Sequence, residues 1–126
     1  MAAVRRTRAL SVWLPVVVWA AVIFTFSSLP GSANELPWWE VVLRKVAHVV
    51  EYTALGALLL RAIGHEATAF AGGVAYAASD EIHQHFVPRR TPSPRDVAID
   101  SAGLLLGFLV WRWWSRRSPS TLRRDA

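Results

Sequence analysis

Apolar residues dominate four segments of the chain, and the ionisable side chains gather at one end of each segment. The segments run over residues 9–26, 44–63, 67–86 and 96–114. Each is close to the roughly 20 residues that a helix needs to cross a bilayer. The pattern predicts an all-α fold, an integral membrane bundle of about four transmembrane helices whose neighbours run in opposite directions.

The connections between the segments contain residues that end helices. Pro30 and Gly31 close the first segment, and Gly64 closes the second. Prolines interrupt residues 87–95 ahead of the fourth segment, because proline lacks the amide donor that a helix needs. Residues 115–126 form a basic tail, which we expect to be cytoplasmic and disordered.

The composition agrees with a membrane protein more than with a soluble one. Hydrophobic residues make up 53% of the chain and charged residues 18%, and seven residues are tryptophan. The net charge of +5 also suits nucleic acid. However, the basic residues flank apolar runs, which favours attraction to lipid headgroups and gives no expectation of nucleic-acid binding. The absence of cysteine excludes disulfides and thiolate chemistry.

A secretory signal peptide is the alternative for the first segment, with Gly31-Ser32-Ala33 as its cleavage site. The apolar run is longer than the roughly 7–15 residues of a signal's hydrophobic region. That length favours a transmembrane helix that stays in the protein.

The basic residues divide unequally between the two ends of such a bundle. The end that holds both termini carries Arg5, Arg6, Arg8, Arg61, Arg112, Arg116, Arg117, Arg123 and Arg124. The other end carries Arg44, Lys45, Arg89, Arg90 and Arg95. Since basic residues are enriched on the cytoplasmic side, both termini are predicted to be cytoplasmic and the polar cluster to face outward.

Three of the four helices carry one polar stripe each, at about 100° of rotation per residue. The stripes comprise Arg44, Lys45, His48, Glu51 and Tyr52 on the second helix, Tyr76, Ser79, Asp80, His83 and Gln84 on the third, and Asp96 and Asp100 on the fourth. Glu81 and His85 point away from the third stripe. Because lipid does not tolerate charged faces, the stripes are predicted to face one another.

The fourth stripe continues into two glycines, Gly103 and Gly107, in a GxxxG pattern. Small residues let helices approach closely in lipid, so this face is predicted to bring the aspartates against the other helices, and it could also support self-association. Gly72 and Gly73 suggest that the third helix lies centrally.

Charge pairs follow from these faces. We expect Asp96 or Asp100 to meet Arg44 or Lys45, and Glu51 to bridge to His48 one turn away. A purely structural role, in which the pairs only hold the bundle together, is the alternative to a binding site.

Several motifs together resemble the VanZ-like family. They are Phe26-Ser27-Ser28-Leu29-Pro30-Gly31, Lys45-Val46-Ala47-His48-Val49-Val50-Glu51-Tyr52, Asp80-Glu81-Ile82-His83-Gln84, Pro88-Arg89-Arg90 and Arg95-Asp96. The resemblance implies a small multi-pass protein of the bacterial cytoplasmic membrane, with residues 9–114 as its transmembrane domain. The founding member is associated with resistance to the lipoglycopeptide teicoplanin. The family supplies no agreed catalytic residues.

The polar cluster is the predicted ligand site. Its members are Arg44, Lys45, His48, Glu51, Tyr52, Asp80, Glu81, His83, Gln84, Arg89, Arg90, Arg95, Asp96 and Asp100. The arginines carry forked donors suited to phosphate. We therefore expect a membrane lipid, a lipid-linked wall precursor or a lipoglycopeptide as ligand, with an anionic group at headgroup depth.

Two classes of function remain open. One is a protein that binds or modulates an envelope lipid or precursor without chemistry. The other is a small intramembrane hydrolase or transferase acting on a lipid-linked substrate, with His48, Glu51, Asp80 and His83 as candidate catalytic groups. Its nucleophile would have to be Ser27, Ser28 or Ser79.

No cofactor is expected from the sequence. A metal held by Asp80, Glu81, His83 and Asp96 is conceivable, but Glu81 points away from Asp80 and no zinc-binding spacing occurs, so no metal site is predicted. Transport is a minor option, because four short helices enclose little aqueous path.

Overall fold

The computed structural model describes residues 2–31 and 35–117, which contain four α-helices and no strand. The helices are α1 (Ala2–Ser27), α2 (Trp38–Ile63), α3 (Glu66–Gln84) and α4 (Pro94–Arg117). The all-α prediction is confirmed for these ranges. Residues 115–117 of the tail that was predicted to be disordered belong to α4, so the prediction is wrong there. The rest of the tail and part of the proposed cleavage site lie outside the described residues.

Three helices, α1, α2 and α4, are longer than the apolar segments predicted for them, whereas α3 ends two residues before the end of its segment. α2 begins at Trp38, well before Arg44. Pro37 precedes it in an extended conformation, with φ −61° and ψ 151°, and Glu40 in the first turn interacts favourably with the positive end of the helix dipole. The polar first turns of α2 and α4 are therefore as helical as their apolar parts.

Contacts between helix ends show that the helices alternate in direction. Ser27 at the end of α1 donates a hydrogen bond to Asp80 near the end of α3, over 2.9 Å. Arg112 near the end of α4 forms an ion pair with Glu66 at the start of α3. The ends of α1 and α3 therefore meet the starts of α2 and α4 at one end of the bundle, called the polar end below.

Side chains in α1 also tie it into the bundle. The Trp19 indole N–H donates to the backbone carbonyl of Glu51 over 2.8 Å, and the Tyr76 hydroxyl donates to the backbone carbonyl of Ala20. Ile23 is fully buried. The first segment is thus packed as an integral helix of the fold.

The closest approach of two helices is the seam between α2 and α4. A Cβ added to Gly56 would lie 2.8 Å from the Cα of Leu104. A Cβ added to Gly107 would lie 2.7 Å from the backbone N of Ala57, and one on Gly103 would lie 3.0 Å from the backbone O of Val49. The predicted packing role of the glycine face is confirmed within the chain. Self-association through Gly103 and Gly107 stays a prediction.

The third helix differs from the others in composition. Three helices of the described chain, α1, α2 and α4, are long and apolar enough to cross a membrane. Many small and polar residues lower the mean hydropathy of α3, so its crossing stays a prediction. Gly73 packs against the side chain of Leu104, whereas Gly72 has open space around it. Of the ten buried apolar residues in the core cluster of the described chain, α2 supplies four, including Tyr52, and α3 supplies two alanines.

Candidate functional site

A cavity of about 530 Å³ opens at the polar end of the bundle. Basic side chains from α2 and from the loop before α4 dominate its wall, with Leu36 and Val41 as apolar contributions. The lining residues from the predicted site are Arg44, Lys45, His48, Gln84, Arg89, Arg90 and Asp96. Half of the residues of the predicted ligand site therefore line this one cavity, which is called the basic cleft below.

A smaller cavity of about 240 Å³ adjoins the basic cleft and shares Arg44, His48 and Arg90 with it. Glu51 also lines this second cavity. The Glu51 carboxylate makes no hydrogen bond or ion pair with the residues that the structure describes. The predicted bridge from Glu51 to His48 is therefore wrong.

The two aspartates of α4 take different partners. Asp96 Oδ1 lies 3.5 Å from Lys45 Nζ, which confirms the predicted pairing at that position. Asp100 Oδ1 lies 3.6 Å from His48 Nδ1 instead of meeting a lysine or arginine. Arg44 Nη2 is 3.8 Å from Glu40 Oε1 on its own helix. Asp96 thus forms a pair at the rim, and Asp100 a buried one.

A buried hydrogen-bond group joins the ends of α1 and α3. Asp80 Oδ2 accepts from the Ser27 hydroxyl over 2.9 Å and from the Tyr52 hydroxyl over 3.4 Å. Gln84 Nε2 donates to Ser27 Oγ over 3.3 Å. Tyr52 is fully buried. Tyr52 and Asp80 therefore lie behind the basic cleft and support its wall.

Three buried polar atoms at the polar end have no hydrogen-bond partner in the described chain. They are His48 Nδ1, Asp80 Oδ1 and Asp100 Oδ1. The separation of 3.6 Å between His48 and Asp100 is too long for a hydrogen bond and allows only an ionic attraction. Buried polar groups are nearly always paired in proteins, so these atoms mark a place where partners are missing.

Arg90 ties the loop before α4 to the end of α1. Its Nε donates to the backbone carbonyl of Leu29 over 2.9 Å, and its Nη2 to that of Phe26 over 3.1 Å. The Gly31 N–H donates to the carbonyl of Pro88 over 3.0 Å. A cation at the C-terminal end of a helix is also favoured by the helix dipole. Arg90 is therefore a helix cap that shapes the basic cleft.

Arg90 stays charged although its surroundings lower its pKa. Burial and the neighbouring Arg44 guanidinium lower the pKa of Arg90, whereas Asp80 and Glu51 raise it. Because the ordinary pKa of arginine lies far above neutrality, the side chain remains protonated.

Arg89 has a different role from Arg90. Its backbone adopts a positive φ of 61°, and its backbone carbonyl packs so closely on Gly31 that a side chain there would collide with it. Its side chain is exposed and makes no hydrogen bond or ion pair with the described residues. A strained backbone that points a free cation at a cavity is a common feature of functional loops.

Family comparison agrees with the arrangement of these motifs along the chain. A family model described as VanZ/LLP1 matches residues 11–115. The chain belongs to the VanZ-like family. With its apolar helices, it is a membrane protein of that family. No curated protein and no solved structure matches the chain.

Besides Tyr52, Asp80 and Asp100, three predicted site residues of this VanZ-like protein line neither the basic cleft nor the second cavity. Glu81 and Arg95 line neither of the two cavities, and Arg95 is exposed. His83 stacks on Phe24, with ring centroids 4.3 Å apart, and its Nε2 lies 2.9 Å from Ser28 Oγ. The sequence places Glu81 off the polar stripe already, but the positions of Arg95 and His83 depend on the loop and on α1.

Sequence reasoning missed the structural role of the first motif. Ser27 is buried and forms hydrogen bonds with Asp80 and Gln84 of the third polar stripe. The next residue, Ser28, contacts His83 of the same stripe. A serine pair at the end of an otherwise apolar helix was the available signal. Gly31, Glu35 and Thr91 also line the basic cleft, and no periodicity could have predicted loop positions.

Metal-binding geometry is absent from the described part of the chain. No three histidine or carboxylate side chains there are placed to hold one ion. Asp80 and Glu81 are neighbours in sequence, but only Asp80 is buried in the polar end.

Proposed function

We propose that this VanZ-like protein binds the phosphate group of an envelope lipid, a phospholipid or a lipid-linked wall precursor, in the basic cleft. The observation that carries the proposal is the cavity of about 530 Å³ with Arg44, Lys45 and Arg89 in its wall. Cationic side chains around a concave site are suited to phosphate, and charge at membrane depth usually marks function.

Arg89 is the principal contact in this proposal. Arg44 and Lys45 each face a carboxylate, Glu40 and Asp96 respectively, and Arg90 is engaged with backbone carbonyls. Arg89 alone among the four arginine and lysine side chains of the cleft has no partner in the described chain. A phosphate would give it one through charge-assisted hydrogen bonds.

An apolar groove favours a lipid over a soluble phosphate. A groove of about 290 Å³ on α2 is lined by Val42, Val46, Val49 and Val50 together with Lys45. Lys45 also lines the basic cleft. An acyl chain in the groove would place its headgroup at the cleft.

The proposal also includes the orientation of the protein in the membrane. All four helices cross the bacterial cytoplasmic membrane, with both termini cytoplasmic and the basic cleft at the outer surface. The uneven distribution of basic residues supports this orientation. The alternating helix directions also support it, because they put the first and last helix ends on one side. A lipoglycopeptide, which the family resemblance suggests, would reach the cleft from outside.

A hydrolase or transferase is the second candidate, and the pair of Ser28 and His83 is the observation in its favour. The Ser28 hydroxyl also lies 2.7 Å from the backbone carbonyl of Phe24, to which it donates. A hydroxyl has one proton, so Ser28 accepts from His83 Nε2–H. A catalytic base must instead take the serine proton. The geometry therefore favours binding over hydrolysis.

Lipid binding tests the proposal directly. We expect phosphatidylglycerol to bind the purified full chain in native mass spectrometry, and Arg89→Ala to weaken binding about tenfold, as expected for a lost charge-assisted hydrogen bond. Arg95→Ala is the matched control, because this exposed arginine lies nearby in the first turn of α4 but outside the cleft. Added salt should weaken binding, since headgroup-depth charges are partly screened.

Equal binding by the Arg89→Ala variant and the wild-type protein would contradict the proposal. In a host expressing each variant at equal level, the same substitution should reduce survival under a wall-targeting lipoglycopeptide. A survival effect without a binding effect would point to the antibiotic itself as ligand.

Cysteine labelling tests the orientation. The chain has no cysteine, so single substitutions report on one loop each. Thr91→Cys should react with an impermeant maleimide in intact cells, and His65→Cys only after permeabilisation, because the two positions flank α3 on opposite sides. Labelling of both positions in intact cells would show that α3 does not cross.

A further inference from the structure

Carboxylates lie beneath the basic cleft. Glu51 lines the second cavity without a hydrogen bond or ion pair in the described chain. Asp80 and Asp100 are each only 4% exposed, and each has one carboxylate oxygen without a partner. We call Glu51, Asp80 and Asp100 the carboxylate floor. Basic side chains above and unpaired acidic groups below thus form one site.

The carboxylate floor adjoins the cavities. Asp100 borders a void of about 10 Å³ together with His48 and Lys45, and both of these residues line the basic cleft. Glu51 is close enough to Asp80 and Asp100 for mutual repulsion. A donor that entered the second cavity would therefore meet Glu51, with Asp80 and Asp100 close to that carboxylate.

The protein itself supplies too few donors for this floor. The hydroxyls of Ser27 and Tyr52 both donate to Asp80 Oδ2 and leave Oδ1 free. Arg90 directs two N–H groups to backbone carbonyls, and Arg44 faces Glu40. Unpaired buried acceptors are unfavourable, so a donor from outside the chain fits here.

We propose that the basic cleft and the carboxylate floor together bind a zwitterionic phospholipid with a primary ammonium, such as phosphatidylethanolamine. Its phosphate contacts Arg89 and Arg44, and its ammonium donates to Glu51. This inference rests on the proposed phosphate site and adds the second recognition element. Phosphatidylcholine has the same phosphate but no N–H donor, and phosphatidylglycerol has no cation.

Native mass spectrometry of the full chain with three lipids of identical acyl chains tests the inference. We expect phosphatidylethanolamine to bind about tenfold more tightly than phosphatidylcholine, the difference that one charge-assisted hydrogen bond supplies. Glu51→Gln should remove this preference and leave phosphatidylglycerol binding intact. Glu66→Gln, which changes a carboxylate at the opposite end, should keep it.

Two results would overturn the inference: equal binding of phosphatidylethanolamine and phosphatidylcholine, or a preference that persists in Glu51→Gln. Where Glu51→Gln does not fold, Glu51→Asp serves instead, because it withdraws the charge by one methylene. This variant should reduce the preference for phosphatidylethanolamine over phosphatidylcholine, and an unchanged preference would count against the inference. Failure of the phosphate site is distinct, because Arg89→Ala would then leave the binding of all three lipids unchanged.

Discussion

The seam between α2 and α4 and the polar end of the same bundle are built in opposite ways. In the seam, Gly56 and Gly107 bring the two backbones so close that an added Cβ would meet main-chain atoms. At the polar end, Glu51 and two buried aspartates leave acceptor groups unpaired around open cavities. The seam has no spare volume and the polar end has spare volume and spare acceptors.

The difference separates stability from function within one small bundle. Close packing in lipid holds helices together through van der Waals contact and needs no ligand. Unpaired carboxylates contribute little to stability, and such features are expected where a protein accepts a ligand. Substitutions in the two regions should therefore affect different measurements.

The largest stability effect is expected in the seam. Gly107→Ala places a methyl group against the backbone of Thr53 and Ala57, which cannot move aside. We expect a loss of about 1–3 kcal/mol in the free energy of unfolding, the usual range for overpacking, measured by thermal unfolding in detergent. Gly72→Ala is the control, since open space surrounds that position. Equal losses in both variants would contradict the account of the seam.

An intermediate effect is expected at Arg90. Arg90→Ala removes two hydrogen bonds to the end of α1 and should lower the unfolding free energy by about 1 kcal/mol. Arg89→Ala should leave stability unchanged, because its side chain has no partner in the described chain. Equal unfolding free energies for the two variants would contradict the assignment of Arg90 as a helix cap and Arg89 as a ligand contact.

The smallest stability effect is expected at Asp100. Asp100→Asn keeps the shape of the side chain and removes its charge. His48 can then become neutral, so no uncompensated buried charge remains, and the unfolding free energy should change by less than about 1 kcal/mol. A loss as large as that of Gly107→Ala would show that the pair with His48 stabilises the bundle.

Part of this architecture could be predicted because helical periodicity is a local property. Residues a turn apart share a face whatever surrounds the helix, so the polar stripes, the glycine face and the pair of Lys45 and Asp96 followed from spacing. The prediction that Asp100 meets a lysine or arginine was not confirmed. Its partner depends on how far α4 slides along α2, which spacing on one helix does not fix.

The loop before α4 also shows that the sequence does not fix which residues contact each other. Arg89 and Arg90 are chemically identical neighbours, and the sequence suggested the same phosphate-binding role for both. The positive φ of Arg89 and the approach of α1 decide which one caps a helix and which one faces the cleft.

The sequence by itself determined the helical class, the four segments and the gathering of polar residues at one end, because each follows from composition and a period of 3.6 residues. The tertiary structure alone decided which of these residues line a cavity and which acceptors stay unpaired. Those properties depend on the rotation and offset of one helix against another and on the path of the loops. Contacts between Ser27 and Asp80, far apart in sequence, exist only once the helices are packed.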